Sequence, residues 1–200
     1  MLPMRDWRLT MRERAAGLWT DLAWHLLVAE RGGKVLGAAS GSYLGNVNVG
    51  IIGYIALRPD VRSSGLGPRL RRHLRRSFEQ SARRIAGKPL DAIVGEVRAD
   101  NPWLRHLVRR ENAIALDFPY HQASLGRKKK DVALVLYYQP LREQRASLPT
   151  AELRRLLYTM WRRMYRVARP LSKPAFRKML NSLRGRRRIG QIKLPALPPR

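Results

Sequence analysis

Residues 54–70 join an apolar segment to a long amphipathic one through a glycine-containing turn, Arg62-Ser63-Ser64-Gly65-Leu66-Gly67. Glycines at 65 and 67 remove Cβ atoms where a backbone must come close to a ligand. The N–H groups at the start of the following helix converge at the positive end of its dipole, and the Arg62 guanidinium matches phosphate oxygens in charge and shape. This pattern predicts a turn that binds a pyrophosphate.

Several other chemistries are excluded by what the sequence lacks. A P-loop requires Gly-Lys-Ser/Thr after its second glycine and a dinucleotide-binding fold requires GxGxxG, and neither pattern occurs. The chain has no cysteine, so disulfides, cysteine-based zinc sites and a cysteine nucleophile are excluded. Its four histidines show no metal-ligand spacing, and no Ser-His-Asp order or paired-carboxylate motif indicates a hydrolase. We therefore predict a site without a metal.

The elements that must position this turn follow from hydrophobic periodicity. A helical pattern covers residues 12–24, and a second, strongly amphipathic helix runs from Ser64 to about Ile85. A third helix begins after Asn101, a good N-cap, with Pro102 at its first position. The predicted strands are His25–Glu30, Val35–Tyr43, Val49–Leu57, Ala92–Arg98, the short irregular Asp117–Gln122, and Val132–Tyr138. This order predicts a sheet with helices packed on it.

Taken with its context, the turn resembles the coenzyme A motif of the GCN5-related N-acetyltransferase (GNAT) family, in which a strand leads through Arg/Gln-x-x-Gly-x-Gly/Ala into a helix. Here the motif reads Arg62, Gly65 and Gly67, and the order of elements from His25 to Pro140 is also similar to the family's. The resemblance implies an α/β fold with a mixed, mostly antiparallel sheet, and an acyl-CoA-binding acetyltransferase domain over residues 1–141. Only 24 residues precede His25, whereas the family has a strand and two helices there.

The resemblance also implies an activity and a binding site. The donor would be acetyl-CoA, and the acceptor an amine of a small molecule or protein that attacks directly in a ternary complex. The backbone of Ile55, Ala56 and Leu57 would bind the pantetheine arm, while Arg62, Ser63, Ser64, Gly65, Leu66 and Gly67 would hold the pyrophosphate. Asn101 corresponds to the family asparagine on the pantetheine side.

The general acid departs from the family pattern. Many members place a tyrosine seven residues after that asparagine, where it can protonate the departing thiolate, but this chain has Val108 there. A phenol is a suitable donor to a thiolate, so Tyr120, Tyr137 or Tyr138 could substitute. Tyr120 is preferred because it lies on the irregular segment facing the expected cleft. Each of the three could instead serve only in packing.

Glu96 is the candidate general base, since the amine must lose a proton before it can attack. It is the only carboxylate inside a predicted buried strand, where burial would raise its pKa toward neutrality. The alternative is a glutamate at the core edge paired with Arg98 or Arg58. Among the histidines, only His121, next to Tyr120, is placed to relay a proton.

The charge is strongly positive, with 41 Lys+Arg against 14 Asp+Glu and a net charge of +27. Residues 142–200 hold 17 Lys+Arg and 2 Asp+Glu, which marks a basic helical C-terminal extension distinct from residues 1–141. One predicted helix begins near Thr150 and another after Pro174, and Arg184–Arg188 with the Pro-rich end is predicted to be disordered. Such a field attracts polyanions but disfavours polycationic acceptors, so a neutral or acidic amine is favoured.

The extension leads to an alternative function. Its helices carry an apolar stripe with Trp161 and Tyr158 nearby. This stripe could lie on an anionic membrane, pack on the chain's own domain, or pack on a second subunit in a homodimer. The chain would then be a catalytically weak GNAT-like binding module that docks nucleic acid or membrane through residues 142–200. No apolar run is long enough to span a membrane and no signal peptide is evident, which predicts a cytoplasmic protein.

Overall fold

The structure is a computed structural model that describes residues 4–18, 20–123 and 133–194. The chain has a mixed α/β fold with mostly antiparallel strands flanked by helices, which confirms the predicted fold class. It forms two compact units, Met1–Ile93 and Val94–Arg200. The basic segment Gly126–Lys130, expected as a loop before the strand at 132–138, lies outside the described residues.

The first unit is an antiparallel meander packed against a long helix. It contains α1 (Met4–Ala15), β1 (Leu22–Arg31), β2 (Lys34–Leu44), β3 (Val49–Leu57) and α2 (Leu66–Ala86). β1 pairs with β2 and β2 with β3, both antiparallel. Gly32 and Gly33 form the first turn with φ of +55° and +71°, a conformation that glycine adopts without strain.

The predicted helix over residues 12–24 is wrong. The helix ends at Ala15, Gly17 follows with φ of +65°, and β1 begins at Leu22. A glycine in this left-handed conformation is a common helix terminator. Ala23 and Trp24 are buried in the sheet, so the apolar residues that look like a helix face belong to a strand.

α2 packs on the meander through one apolar face. Leu70, Leu74, Phe78 and Ala82 are buried, as the helical periodicity predicts. A Cβ on Gly50 would lie 2.3 Å from Cδ2 of Phe78, so the absence of a side chain there lets the ring reach the sheet. This packing fixes the start of α2 close to the end of β3, because only a short turn connects them.

The second unit is built around β7 (Ala133–Pro140), which lies between β4 (Ala92–Val97) and β5 (Ile114–Ala115). The short strand β6 (Tyr120–His121) also pairs antiparallel with β7, at its start. α3 (Pro102–Arg110) connects β4 to β5. The remaining elements are β8 (Leu148–Pro149), α4 (Thr150–Thr159), a π-helix (Met160–Met164), α5 (Pro174–Ser182) and β9 (Arg188–Ile189).

The predicted disorder of Arg184–Arg188 is also wrong. Arg188 lies in β9 and pairs with Pro149 of β8. The chain then continues along β5, where Ile192 N–H donates to the Ala115 carbonyl at 2.7 Å. Backbone pairing outweighs the local composition here, because the segment covers a strand edge that would otherwise be unpaired. The Pro-rich end at 195–200 lies outside the described residues.

The apolar stripe of the extension packs inside the second unit, which is one of the predicted alternatives. The buried side chains include Leu153, Leu156, Leu157, Met160, Trp161, Phe176, Met179 and Leu183. Within the part of the chain that the structure describes, no helix has the length and apolar character needed to cross a membrane.

Candidate functional site

In the first unit, the predicted phosphate-binding turn has the geometry of an open helix start. A short 3-10 turn (Pro59–Val61) follows β3, and Ser63 and Gly65 then adopt φ of +67° and +77°. Gly65 occupies the N-cap position of α2, where no side chain caps the helix and no acidic residue lies in its first turn. The first N–H groups of α2 are therefore available for an anion.

The charges around the turn also suit a phosphate. Arg62 is exposed and has no carboxylate partner among the described residues, whereas Arg58 is paired with Asp60 at 2.9 Å. Apart from the adjoining backbone, no atom of the described residues lies within 4 Å of a Cβ position on Gly65, and a Cβ on Gly67 would make only an ordinary contact of 3.5 Å with Leu57. Packing inside the unit does not require glycine at 67. A glycine at this position is instead consistent with close approach of a ligand to the backbone.

β3 leads directly into this turn. Ile55, Ala56 and Leu57 are its last residues and pair with Ala39, Ala38 and Gly37 of β2. The register shifts between Ser40 and Gly41, which face Tyr54 and Ile52, so that Gly53 has no partner on β2. This irregularity is a β-bulge, a feature that re-aims the backbone next to functional sites.

In the second unit, Asn101 is the N-cap of α3, as predicted. Its side chain accepts a hydrogen bond from Trp103 N–H at 2.9 Å, and Pro102 is the first helical residue. The cap fixes the asparagine where β4 turns into α3. Val108 is partly buried and packs against a cluster that includes Leu104 and Leu107.

Glu96 and Tyr120 form the centre of the second unit's candidate site. Glu96 lies in β4 and Tyr120 in β6, 24 residues apart, and the buried Tyr120 hydroxyl donates to Oε1 of Glu96. The Glu96 carboxylate also accepts hydrogen bonds from Gln122 Nε2, at 2.7 Å, and from the Tyr165 hydroxyl. The structure therefore brings together the two residues predicted as base and acid.

The other candidates for these roles lie elsewhere. Tyr137 packs over Gly95, whose neighbour Glu96 points to the opposite face of β4. The Tyr138 hydroxyl donates to Glu152 at 3.0 Å. His121 donates its backbone N–H to Met179 Sδ, and no hydrogen bond joins its ring to Glu96 within the described ranges.

The alternative ion pairs for Glu96 do not form. Arg98 pairs with Asp100 at 2.9 Å, and Arg58 pairs with Asp60. The partners of Glu96 among the described residues are thus neutral hydrogen-bond donors.

Burial controls the electrostatics of this cluster. Removal from water raises the pKa of Glu96 above its ordinary value, and hydrogen bonds from Tyr120, Tyr165 and Gln122 offset part of that rise. Burial beside the Glu96 carboxylate also raises the pKa of Tyr120 and of Tyr165 well above the ordinary value of 10. Both phenols therefore remain protonated donors at neutral pH, while Glu96 is a stronger base than an exposed glutamate.

Sequence reasoning missed two members of the cluster. Tyr165 belongs to the basic extension, and Gln122 lies two residues after Tyr120 on the irregular segment. Alternation along a strand places residues 120 and 122 on one face, and this signal would have pointed to Gln122. No comparable signal exists for Tyr165, because it contacts Glu96 across 69 residues.

Comparison with known proteins bears on the family and the fold of the chain. The model of the acetyltransferase (GNAT) family matches residues 2–111. A solved structure described as a GNAT-family acetyltransferase from Bacteroides thetaiotaomicron is 13% identical, with a TM-score of 0.55, and the match covers 84% of this chain and 83% of that one. No curated protein matches the sequence.

A second solved structure has lower similarity. The ribosomal-protein-alanine N-acetyltransferase from Brucella melitensis is 18% identical over 68% of this chain and 77% of that one, with a TM-score of 0.46.

Proposed function

Because the chain belongs to the GNAT family of acetyltransferases, we propose that it transfers an acetyl or other acyl group from acetyl-CoA to an amine. The amine attacks directly in a ternary complex, so no covalent enzyme intermediate forms. The observation that carries the proposal is the hydrogen bond between Glu96 and Tyr120, the residues that sequence analysis assigns to the base and the acid. We assign the acetyltransferase domain to residues 1–141 and the extension to residues 142–200.

The turn of the first unit would bind the donor. Arg62 and the N–H groups of Gly65, Leu66 and Gly67 fit a pyrophosphate, because they supply positive charge and hydrogen-bond donors, and no carboxylate of the described residues pairs with Arg62. The backbone of residues 55–57 would bind the pantetheine arm next to the bulge in β3. Asn101 is proposed as a further donor contact because its position resembles that of the family asparagine. Bound acetyl-CoA supplies the activated acyl group as a thioester.

Glu96 would act as the general base. The acceptor amine is protonated in water near neutral pH and must lose one proton before its lone pair can attack. Burial raises the pKa of Glu96, which makes the carboxylate a better proton acceptor than an exposed glutamate. The proton that leaves the amine nitrogen would go to a carboxylate oxygen of Glu96.

Tyr120 would act as the general acid in place of the tyrosine that Val108 replaces. Its hydroxyl can donate a proton to a thiolate leaving group and recover one from protonated Glu96, to which it is hydrogen-bonded. The proton removed from the amine would thus end on the thiol of the product. This transfer balances without a further acid or base.

Calorimetric titration with acetyl-CoA tests the proposal. Arg62→Ala should weaken binding by roughly 10- to 100-fold, since it removes a charge-assisted phosphate contact. Gly65→Asp should also abolish tight binding, because it adds negative charge at the helix start. Arg75→Ala is the matched control, since Arg75 lies further along α2 and is paired with Glu79 at 3.1 Å.

Absence of binding to the unsubstituted protein, or equal binding by the Arg62→Ala variant, would overturn the assignment. Once binding is established, turnover of neutral, acidic and polycationic amines can be compared. We propose that the acceptor amine belongs to a small molecule or protein whose other groups are neutral or acidic, because a net charge of +27 repels polycations. Faster turnover of polyamines than of neutral amines would contradict this preference.

A second candidate function is a GNAT-like module that docks a polyanion through residues 142–200. The extension buries its apolar stripe and exposes many cations, among them Arg154, Arg155, Arg162, Arg177 and Lys178. This distribution favours nucleic acid over membrane insertion, which needs a free apolar face. DNA binding that weakens steeply with salt, without acetyl transfer to any amine, would support this module. Binding to liposomes would instead identify a membrane as the partner. Formation of a dimer at low salt would identify a second copy of the chain as the partner.

A further inference from the structure

The Glu96 carboxylate is held partly by the C-terminal extension. The Tyr165 hydroxyl lies within hydrogen-bonding distance of both of its oxygens. Gln122 Nε2 donates to Oε2 of Glu96 at 2.7 Å and to the Tyr165 hydroxyl oxygen at 3.1 Å. Tyr165 is therefore tied to the carboxylate both directly and through Gln122. It lies outside residues 2–111, which the family model matches.

An irregular stretch of backbone places Tyr165. α4 passes into a π-helix at Met160, and Tyr165 N–H closes that turn by donating to the Met160 carbonyl at 3.0 Å. Arg166 then adopts φ of +55°, which is unfavourable for a residue with a side chain. π-Turns and left-handed residues cost free energy and are frequent at functional sites. Their position on either side of Tyr165 indicates that its placement is under constraint.

The turn is anchored by packing on α5. Trp161 is buried, and its ring lies 5.0 Å from the ring of Phe176. Val167 N–H donates to the Trp161 carbonyl at 2.9 Å, which closes the chain after Tyr165. The Tyr165 side chain is itself buried, so its hydroxyl has little freedom to leave the carboxylate.

The hydrogen bonds limit where Glu96 can accept another proton. A carboxylate has about four lone-pair positions, two on each oxygen. Tyr120 occupies one on Oε1, Gln122 occupies one on Oε2, and the Tyr165 hydroxyl is shared between the two oxygens. About one position remains, which is enough for one proton from an acceptor.

We propose that Tyr165 is a positioning residue of the acetyltransferase, which orients the Glu96 carboxylate and sets the pH at which it accepts the proton of the acceptor amine. The extension is then part of the active centre rather than an accessory tail. This inference rests on the proposed function, since it gives Tyr165 a role through the proposed base.

The direction of the effect follows from the contacts. Tyr120 and Gln122, from the segment around β6, and Tyr165, from the extension, face the carboxylate, and none of them carries a charge at neutral pH. A hydrogen bond donated to a carboxylate stabilises its charged form and lowers its pKa. Removal of the Tyr165 hydroxyl should therefore raise the pKa of Glu96 further, because fewer hydrogen bonds then offset the rise that burial causes.

The test compares Tyr165→Phe with Tyr158→Phe, a matched control on the exposed side of the same extension. NMR titration of carbon-13-labelled glutamate carboxyl groups in the free protein gives the Glu96 midpoint, assigned by its absence in Glu96→Gln. Tyr165→Phe should raise that midpoint by about one pH unit. The acidic limb of kcat/KM should move upward by a similar amount, with the KM for acetyl-CoA within twofold of the unsubstituted value. Tyr158→Phe should change neither.

A second variant guards against misfolding of Tyr165→Phe. Gln122→Met removes the donor to both Glu96 and Tyr165 and should shift the midpoint in the same direction by a smaller amount. An unchanged Glu96 midpoint in an active, folded Tyr165→Phe variant would overturn the positioning role alone. A shifted midpoint in a protein that transfers no acetyl group, even unsubstituted, would overturn the proposed function and the catalytic meaning of Tyr165 with it.

Discussion

The Tyr137 ring occupies the space that a Cβ on Gly95 would need, with its hydroxyl oxygen 2.5 Å and its Cζ 2.6 Å from that position. Both residues are buried in the second unit, and Gly95 directly precedes the candidate base. The absence of a side chain at position 95 is thus what allows β4 and the aromatic ring to pack together.

Gly95→Ala should destabilise the protein by about 1–3 kcal/mol, because the added methyl group must displace the Tyr137 ring. Urea unfolding measures the change. Gly190→Ala is the control, since its new Cβ would have Ala146 O as its nearest contact, at an ordinary 3.9 Å. Equal unfolding free energies for the two variants would contradict the packing argument.

Tyr120→Phe should lower kcat by about 10²- to 10⁴-fold, the usual effect of losing a general acid or base, with little change in the KM for acetyl-CoA. The ring remains, so the packing of the buried side chain is kept. Tyr138→Phe serves as the comparison, since the Tyr138 hydroxyl donates to Glu152 and not to Glu96. Full activity of Tyr120→Phe would remove it as the acid.

His25 should make the protein less stable in mild acid. Burial, with smaller contributions from Arg14 and Arg84, lowers the pKa of His25 to about 4 from an ordinary 6.5. Its Nε2 lies 3.0 Å from the Ser81 hydroxyl oxygen. The unfolded chain binds a proton below pH 6.5 and the folded chain only near pH 4, so stability is full above 6.5 and falls between these values.

The expected loss is roughly 2 kcal/mol, after allowance for partial solvent exposure of the ring. Unfolding free energies measured from pH 7 to pH 4 give the slope, and His25→Gln should flatten it because glutamine does not titrate. His73→Gln, at an exposed position of α2, controls for the loss of a histidine as such. Parallel slopes for His25→Gln and the unsubstituted protein would refute the assignment.

Gln191→Ala should destabilise the second unit by about 1–3 kcal/mol. The Gln191 side chain accepts a hydrogen bond from the buried Ala115 N–H at 2.8 Å, and its removal leaves that donor without its partner. Hydrogen exchange at Ala115 should accelerate accordingly. Lys193→Ala, an exposed neighbour, should alter neither quantity. Unchanged protection at Ala115 would show that the Gln191 side chain is dispensable for β5.

Local signals in the sequence were sufficient for much of the first unit. β3 has the predicted bounds, Val49–Leu57, because a nearly continuous apolar run ends at a turn. The turn at 62–67 could be predicted from its glycines, and Gly65 adopts φ of +77° there. The helix predicted over 12–24 failed because a strand and a helix can share the same short apolar spacing, and Gly17 decided between them.

The second unit depends more on contacts that are distant in sequence. Glu96 could be recognised as unusual, since it interrupts a buried strand, and Tyr120 could be selected by its position on an irregular segment. Their contact, and the part of Tyr165 in it, depend on how β4, β6 and the π-helix pack, which periodicity does not encode. The order of Arg184–Arg188 likewise results from strand pairing that composition alone does not reveal.

The position of Tyr165 late in the chain has a consequence for biosynthesis. Domains generally fold in order as they leave the ribosome, N-terminal part first. The turn at 62–67, which is proposed to bind the pyrophosphate, belongs to the first unit, whereas Glu96 gains its full set of donors only after residue 165 has been synthesised. Under the proposed assignment, a nascent or prematurely terminated chain could bind the acyl donor before it could transfer the acyl group. During each round of synthesis the donor site would therefore form before the chain becomes catalytically active.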